Sequence, residues 1–208
     1  MKGELFVISG PSGVGKNTIL NRLVEERENV RYSISATSRP IRPGEVDGVS
    51  YYFVSREQFE KMIAAGELLE FAEYVGNYYG TPLAPILEAT EKGVDIVMDV
   101  DVVGALKIKK RVPSAVLIFI TAPSFEEIRS RLVHRGDVAP EIMAERLEHA
   151  KWEYAQAYQY DYTVMNDTVD HAVARIGEIM TAAKQEKWIQ SMGNTGGKLC
   201  FIPQCPHF

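Results

Sequence analysis

The apolar run Leu5–Ser9 leads directly into Gly10, Pro11, Ser12, Gly13, Val14, Gly15, Lys16, Asn17 and Thr18, and a helical pattern follows from Asn17 to about Arg27. That order constrains the chain more than any bulk property. A buried strand that ends in a glycine-rich turn, with a lysine opening the next helix, reads as a phosphate-binding loop. Three glycines allow backbone conformations closed to other residues and a close approach to a ligand. Successive N–H groups then converge as an anion nest at the positive end of the helix. Lys16 adds a full charge for terminal phosphates. The usual loop places Ser or Thr directly after the lysine, where its hydroxyl meets Mg²⁺. Here Asn17 takes that place and the hydroxyl comes one residue later, at Thr18, which makes a direct metal contact from position 17 doubtful. Most of the phosphate donors are backbone, so the loop does not depend on it.

The remaining 190-odd residues must build a sheet that displays this loop. With 208 residues, 46% of them apolar, the chain suits one compact domain with a substantial core. A net charge of −5 leaves no global basic field for nucleic acid or an anionic membrane. A polyanionic ligand therefore needs local arginine clusters. The N-terminal apolar run is too short and wrongly flanked for a signal peptide or membrane span. The two cysteines, Cys200 and Cys205, do not make a disulfide framework or a common zinc half-site. The resulting expectation is a cytoplasmic protein that binds neither nucleic acid nor membrane.

Apolar runs at Leu5–Ser9, Ile96–Val100, Ala115–Thr121 and Tyr162–Met165 alternate with helical patterns at Asn17–Arg27, Val102–Lys110, Phe125–Arg135, Glu141–Tyr158 and Val169–Ile189. This rhythm predicts a parallel sheet covered on both faces. Ser124 with Glu127, and Ser55 with Gln58, have capping-box spacing. Residues 32–93 break the rhythm, with β-rich stretches at Tyr32–Thr37 and Val49–Val54 and helices at about Arg56–Ala65 and from Pro85 to near Gly93. They read as an α+β insertion between the first and second strands of the main sheet. The expected organisation is a core of 1–32 and 94–190 with a helical lid at about 124–150, an inserted module at 33–93, and an irregular tail at 191–208.

Four groups of residues carry chemistry. Arg39 and Arg42 each precede a proline and lie three apart in a stiff extended segment, so both can grip one phosphate; a solvated turn is the alternative. Arg131 and Arg135 share a helix face, and Arg146 follows on the next helix. They read as a lid over transferring phosphates, or else as surface charge. Asp99 and Asp101 end an apolar strand, share one face by alternation, and suit Mg²⁺ and the acceptor; capping the next helix is the alternative for Asp101. Glu70, with nearby Tyr74, Tyr79 and Thr81, could present a carboxylate to an adjacent N–H and NH₂ pair, the edge that guanine offers, although exposed Glu and core Tyr are commoner.

Taken in order, Gly10–Lys16, the segment from Ser35 through Arg39 and Arg42 to Gly48, Tyr51–Phe53, Gly76–Pro82, Asp99–Gly104, Arg131–Gly136 and Val164–Asp167 resemble the guanylate kinase family of P-loop nucleoside monophosphate kinases, over residues 3 to about 185. The resemblance implies an α/β P-loop three-layer fold with a central parallel sheet, an inserted GMP-binding module and a helical lid. It implies transfer of the γ-phosphoryl of ATP to GMP, and to dGMP, with Mg²⁺. It carries ATP contacts onto Gly10, Pro11, Ser12, Gly13, Val14, Gly15, Lys16, Asn17, Thr18 and Asn166. GMP contacts fall on Ser35, Arg39, Arg42, Tyr51, Glu70, Tyr79, Thr81 and Asp101. Catalytic charge falls on Lys16, Arg42, Arg131, Arg135 and Arg146. For the metal, the residues themselves point to Asp99, through water, and more weakly to Thr18.

The chain departs from the family pattern at Asn17, at Val103 where Gln is frequent, and at Asp137 where Thr is common. Rival readings are a non-catalytic guanylate-kinase-like interaction module, a regulatory GTPase, and a related kinase with another acceptor. Retention of Lys16 and the lid arginines opposes the first. The lack of an Asn-Lys-x-Asp guanine motif opposes the second. Glu70 with Ser35 and Thr81 weighs against the third. Homo-oligomerisation is left open.

Overall fold

A computed structural model describes residues 2–133 and 140–193. Its centre is a five-stranded parallel sheet in the order β2-β7-β1-β8-β9. The strands are β1 (Leu5–Ser9), β2 (Val30–Tyr32), β7 (Asp95–Asp99), β8 (Val116–Thr121) and β9 (Tyr162–Met165). Alternation splits each central strand between two cores. Phe6 and Ile8, with Val116, Ile118 and Ile120, face a cluster completed by Ile19, Leu20 and Leu23 of α1 (Lys16–Glu26) and Ala172, Ile176 and Met180 of α7 (Val169–Gly193). Leu5 and Val7, with Leu117 and Phe119, face a second cluster built on Ile86 of α3 (Leu83–Glu91) and Val102, Ala105 and Ile108 of α4 (Val102–Arg111). Burial on both faces is why these strands read as continuous apolar runs. α5 (Phe125–Val133) and α6 (Pro140–Ala155) follow β8, and a 3-10 turn at Ala157–Gln159 leads into β9. No described helix is long and apolar enough to cross a membrane.

The insertion builds a second, four-stranded sheet in the order β4-β3-β6-β5. Its strands are β3 (Ala36–Thr37), β4 (Tyr52–Phe53), β5 (Leu68–Tyr74) and β6 (Asn77–Pro82), with α2 (Arg56–Ala64) packed on it. Its own core is small: Ala36, Phe59 and Leu68, with Phe59 stacked on Tyr78 at 5.2 Å.

One expectation needs correction, the place of the insertion between the first and second main-sheet strands. The stretch Tyr32–Thr37 is not one strand. Its start belongs to β2, which pairs with β7 in the main sheet, and its end forms β3 in the insertion. The insertion therefore lies between the second and third main-sheet strands in chain order. The signal was weak because β2 is a three-residue edge strand with two exposed positions. The hairpin β5–β6 was also not anticipated. Its turn uses Val75 (φ 48°) and Gly76 (φ 72°), and a β-branched residue at positive φ is an unusual choice there. Both capping predictions hold: the Gln58 N–H donates to Ser55 Oγ and the Glu127 N–H to Ser124 Oγ, each at 3.1 Å.

Candidate active site

β1 delivers the phosphate loop at the carboxyl edge of the sheet, where β1 lies between β7 and β8, and this is the edge where open α/β sheets bind ligands. Gly10 and Gly15 carry the turn at φ 154° and 95°. A side chain at Gly10 would meet the Ile120 carbonyl at 2.4 Å, and one at Gly15 would meet Asn166 Nδ2 at 2.7 Å. The loop is therefore closed in from behind as well as conformationally demanding. Lys16 opens α1, and its ammonium donates to the Gly10 carbonyl at 2.5 Å, folding back over the loop. Asn17 and Thr18 are both exposed on the first turn of α1.

Asn166 is 3% exposed, and its amide donates to the Val14 carbonyl at 2.7 Å. It braces the loop from β9's end. Arg131 of α5 joins the brace: its guanidinium donates to the Val14 carbonyl at 3.2 Å and to Glu127 at 2.7 Å. Arg146 lies exposed on α6. Arg135 and Asp137 lie outside the described residues.

On the other side of Lys16, a cleft of about 220 Å³ separates the two sheets. The sequence-predicted Ser35, Tyr51, Glu70, Tyr79, Asp99 and Asp101 all line it. Asp99 is the last residue of β7, and its carboxylate stands 3.9 Å from Lys16 Nζ. Burial raises its pKa, the Lys16 charge pulls it back down, and Asp101 raises it further. Asp101 does not continue the strand. It caps α4, its carboxylate accepting from the Gly104 N–H at 2.6 Å, so the shared strand face expected for Asp99 and Asp101 does not exist. The capping alternative for Asp101 is realised while the residue still faces the cleft.

Glu70 sits deeper. Its carboxylate accepts from the Thr81 hydroxyl at 2.8 Å, and Thr81 is fully buried. Burial raises the Glu70 pKa, the Thr81 bond opposes the rise, and Asp101 adds to it. A β-bulge between Leu68 and Phe71 interrupts the β5–β6 pairing at this point. Arg39 and Arg42 are differently placed from one another. Arg39 is 8% exposed and forms two parallel bonds to Glu45, at 2.9 and 2.8 Å, and its guanidinium lies 5.5 and 5.6 Å from the Tyr51 and Phe53 ring centroids. The backbone N–H of Arg42 donates to the same Glu45, and its side chain is exposed. Tyr51 and Tyr79 meet edge to face at 6.2 Å.

Val103, noted above as a departure from the family pattern, lines the cleft. Two residues of this region were not read from the sequence, and the first is Lys107, one helical turn beyond Val103 on α4, which lines the cleft as well. Glu153 of α6 is 5% exposed, with a pKa raised by burial; its carboxylate lies 3.3 Å from Nδ1 of the exposed His149, and Lys16 lies within its electrostatic reach. Helical periodicity could have found Lys107. Nothing in the weakly amphipathic α6 pattern singles out Glu153. Among the described residues no cluster of three or more His, Cys, Asp or Glu could cage a metal ion.

Known proteins share both the sequence and the architecture. The family model for guanylate kinase matches residues 2–183. The guanylate kinase of Streptococcus pneumoniae is 50% identical over 182 residues, covering 87% of this chain and 88% of that protein. That of Thermus thermophilus is 50% identical over 185 residues, covering 89% of this chain and 84% of its own. The crystal structure of guanylate kinase from Anaplasma phagocytophilum is similar with a TM-score of 0.68 at 36% identity, over 87% of this chain and 86% of that one. A braced phosphate loop opening onto an acidic cleft, in a chain matched along nearly its whole length by these enzymes, makes this protein a member of the guanylate kinase family.

Proposed function

We propose that the chain transfers the γ-phosphoryl of ATP to GMP, giving ADP and GDP, with the phosphate loop holding the donor and the cleft between the two sheets holding the acceptor. One observation carries this reading: Asp99 lines the cleft while standing 3.9 Å from Lys16, so the donor and acceptor sites share a wall. In-line transfer needs that adjacency, because positioning and charge stabilisation supply most of the catalysis and no covalent intermediate is required.

In this reading the core comprises 1–32 and 94–190, and 33–93 is the acceptor module. Ser35, Glu70 and Thr81 read guanine, with Asp101 beside them. An ionised Glu70 takes two donors from the base, and Thr81 holds that carboxylate in place. Arg39, Arg42, Tyr51 and Tyr79 grip the acceptor phosphate. Arg39 is already neutralised by Glu45, so it supplies position while the exposed Arg42 supplies charge. Lys16, Arg42, Arg131, Arg135 and Arg146 stabilise the equatorial oxygens of the transferring group. Asn166 acts on the donor site through the Val14 carbonyl it braces.

The residues present suit Mg²⁺, which prefers oxygen donors and is usually held by one or two carboxylates together with substrate phosphates. Asp99, through water, and Thr18 would hold it, and it would neutralise phosphate charge. Asn17 removes a hydroxyl from the usual position without removing those two.

A coupled assay of ADP release with GMP, dGMP, AMP and UMP tests the whole reading. Turnover with GMP and dGMP and little with AMP or UMP is expected; no turnover dependent on GMP would sink it.

A further inference from the structure

β5 changes allegiance at its first two residues. Leu68 packs in the small core of the inserted module, and Leu69 packs in the α3–α4 core of the main sheet. Glu70 comes next. Leu68 pairs with Pro82, and pairing resumes only at Phe71 with Gly80, so Glu70 lies inside the bulge. Bulges re-aim side chains, but they also leave ladder carbonyls without their usual partners. Here a side chain supplies them. Arg111, the last residue of α4, donates to the Leu68 and Leu69 carbonyls, the second at 3.3 Å, and to the Gly66 carbonyl at 3.0 Å. One planar guanidinium thus spans the turn before β5 and the bulge itself. Two nitrogens of the fork divide these acceptors, one meeting the Leu68 and Leu69 carbonyls and the other the Gly66 carbonyl, an arrangement that a lysine's single ammonium does not reproduce. The other end of α4 is fixed by Asp101 on the Gly104 N–H, so a single helix carries an acceptor-facing cap at its start and the clamp on the Glu70 bulge at its end.

We propose that Arg111 is a positioning residue for acceptor recognition: by holding the backbone at Gly66, Leu68 and Leu69 it sets the bulge that aims Glu70 at the base. The proposal rests on the reading of Glu70 given above. Arg111 touches neither substrate; it acts through Glu70.

Steady-state kinetics on the full chain, with both substrates varied at 25 °C, test this. Arg111→Met should raise the GMP KM by about tenfold, with the ATP KM unchanged and kcat within about twofold, since small displacements of a binding group are costly. Arg111→Lys should recover part of the loss. In a Glu70→Ala background, Arg111→Met should have no further effect on the GMP KM. Equal effects in both backgrounds overturn the proposal. So does a lowered Tm with an unchanged GMP KM, the signature of a purely structural contact. If Arg111→Met fails to fold, Arg111→Lys is carried through the same cycle with the same criteria. If Glu70→Ala alone leaves the GMP KM unchanged, the guanine reading of Glu70 has failed and the proposal falls with it. That result is distinct from a Glu70 effect that Arg111 does not share.

Discussion

The donor and acceptor halves of the site are held by different means. The phosphate loop is framed by backbone and by a deep core: β1 is buried along its length, and Asn166 and Arg131 close on the Val14 carbonyl. The acceptor cleft is framed by side chains on short strands, backed by three core residues. Its key groups are engaged with each other, Arg39 with Glu45 and Glu70 with Thr81. The donor half is thus preorganised by geometry that few single substitutions can undo. The acceptor half is preorganised by polar pairs, each of which a single substitution can remove.

That contrast can be broken at its strongest point first. Lys16→Met should lower kcat by about 10²–10³-fold or more in the ADP-release assay, the scale for removing one preorganised donor of charge. Its Tm should stay near the parent's, because the loop's shape belongs to the backbone. A collapse of Tm would mean that the Lys16 bond to Gly10 organises the loop after all. Phe59→Ala probes the module's thin core. Truncating a buried aromatic costs about 3–5 kcal/mol. The loss should appear as faster amide exchange in residues 33–82 and a raised GMP KM, with β1 and β8 still protected. Uniform loss of protection would show that the two sheets unfold as one unit.

Glu70→Ala should raise the GMP KM roughly 10- to 100-fold and the ATP KM little, as expected for charge-assisted bonds in a buried site. The same residue sets a pH dependence. Its pKa lies above the ordinary 4.5, so protonation begins at higher pH than for an exposed glutamate. The protonated carboxyl cannot accept both base donors. The GMP KM should therefore climb as pH falls toward that raised pKa, and Glu70→Gln should flatten the climb. The stability sign is opposite: a raised carboxyl pKa means folding loses stability as pH rises from 4.5 through the folded value. The smallest effect is expected at Asn17. Asn17→Ser restores the usual hydroxyl and should shift the Mg²⁺ concentration for half-maximal rate by no more than about threefold, since most loop contacts are backbone. A larger shift would show that position 17 sets metal affinity directly.

How legible each half was follows from the same contrast. Gly10 to Lys16 is a contiguous motif whose meaning depends on neighbours in sequence, so its strand, turn and helix could be read directly. The main-sheet strands were legible because burial on both faces leaves an unbroken apolar run, while β2 failed that test as a short, half-exposed edge. In the acceptor half, the residue types at Ser35, Arg39, Tyr51, Glu70 and Tyr79 were visible, but not their pairings. Arg39 and Arg42 stand out as a pair in the sequence; only the structure adds that Glu45 engages the Arg39 side chain and the Arg42 N–H. For Asp101 the sequence leaves a strand end and a helix cap both open, and the structure makes it the cap of α4. The shared strand face expected for Asp99 and Asp101 assumed that alternation continues past Asp99, where β7 ends. Glu153 and Arg111 escaped entirely, because burial beside Lys16 and a hydrogen bond to a bulge 42 residues earlier leave no local pattern.

By itself, the sequence determined that this chain presents a phosphate loop on a parallel sheet, because backbone conformation and burial leave periodic, short-range marks. Only the tertiary structure decided which carboxylate faces Lys16, which arginine is already neutralised and what aims Glu70. Those outcomes depend on charges and hydrogen bonds meeting across separate elements, and such meetings exist only once two cores have packed against each other.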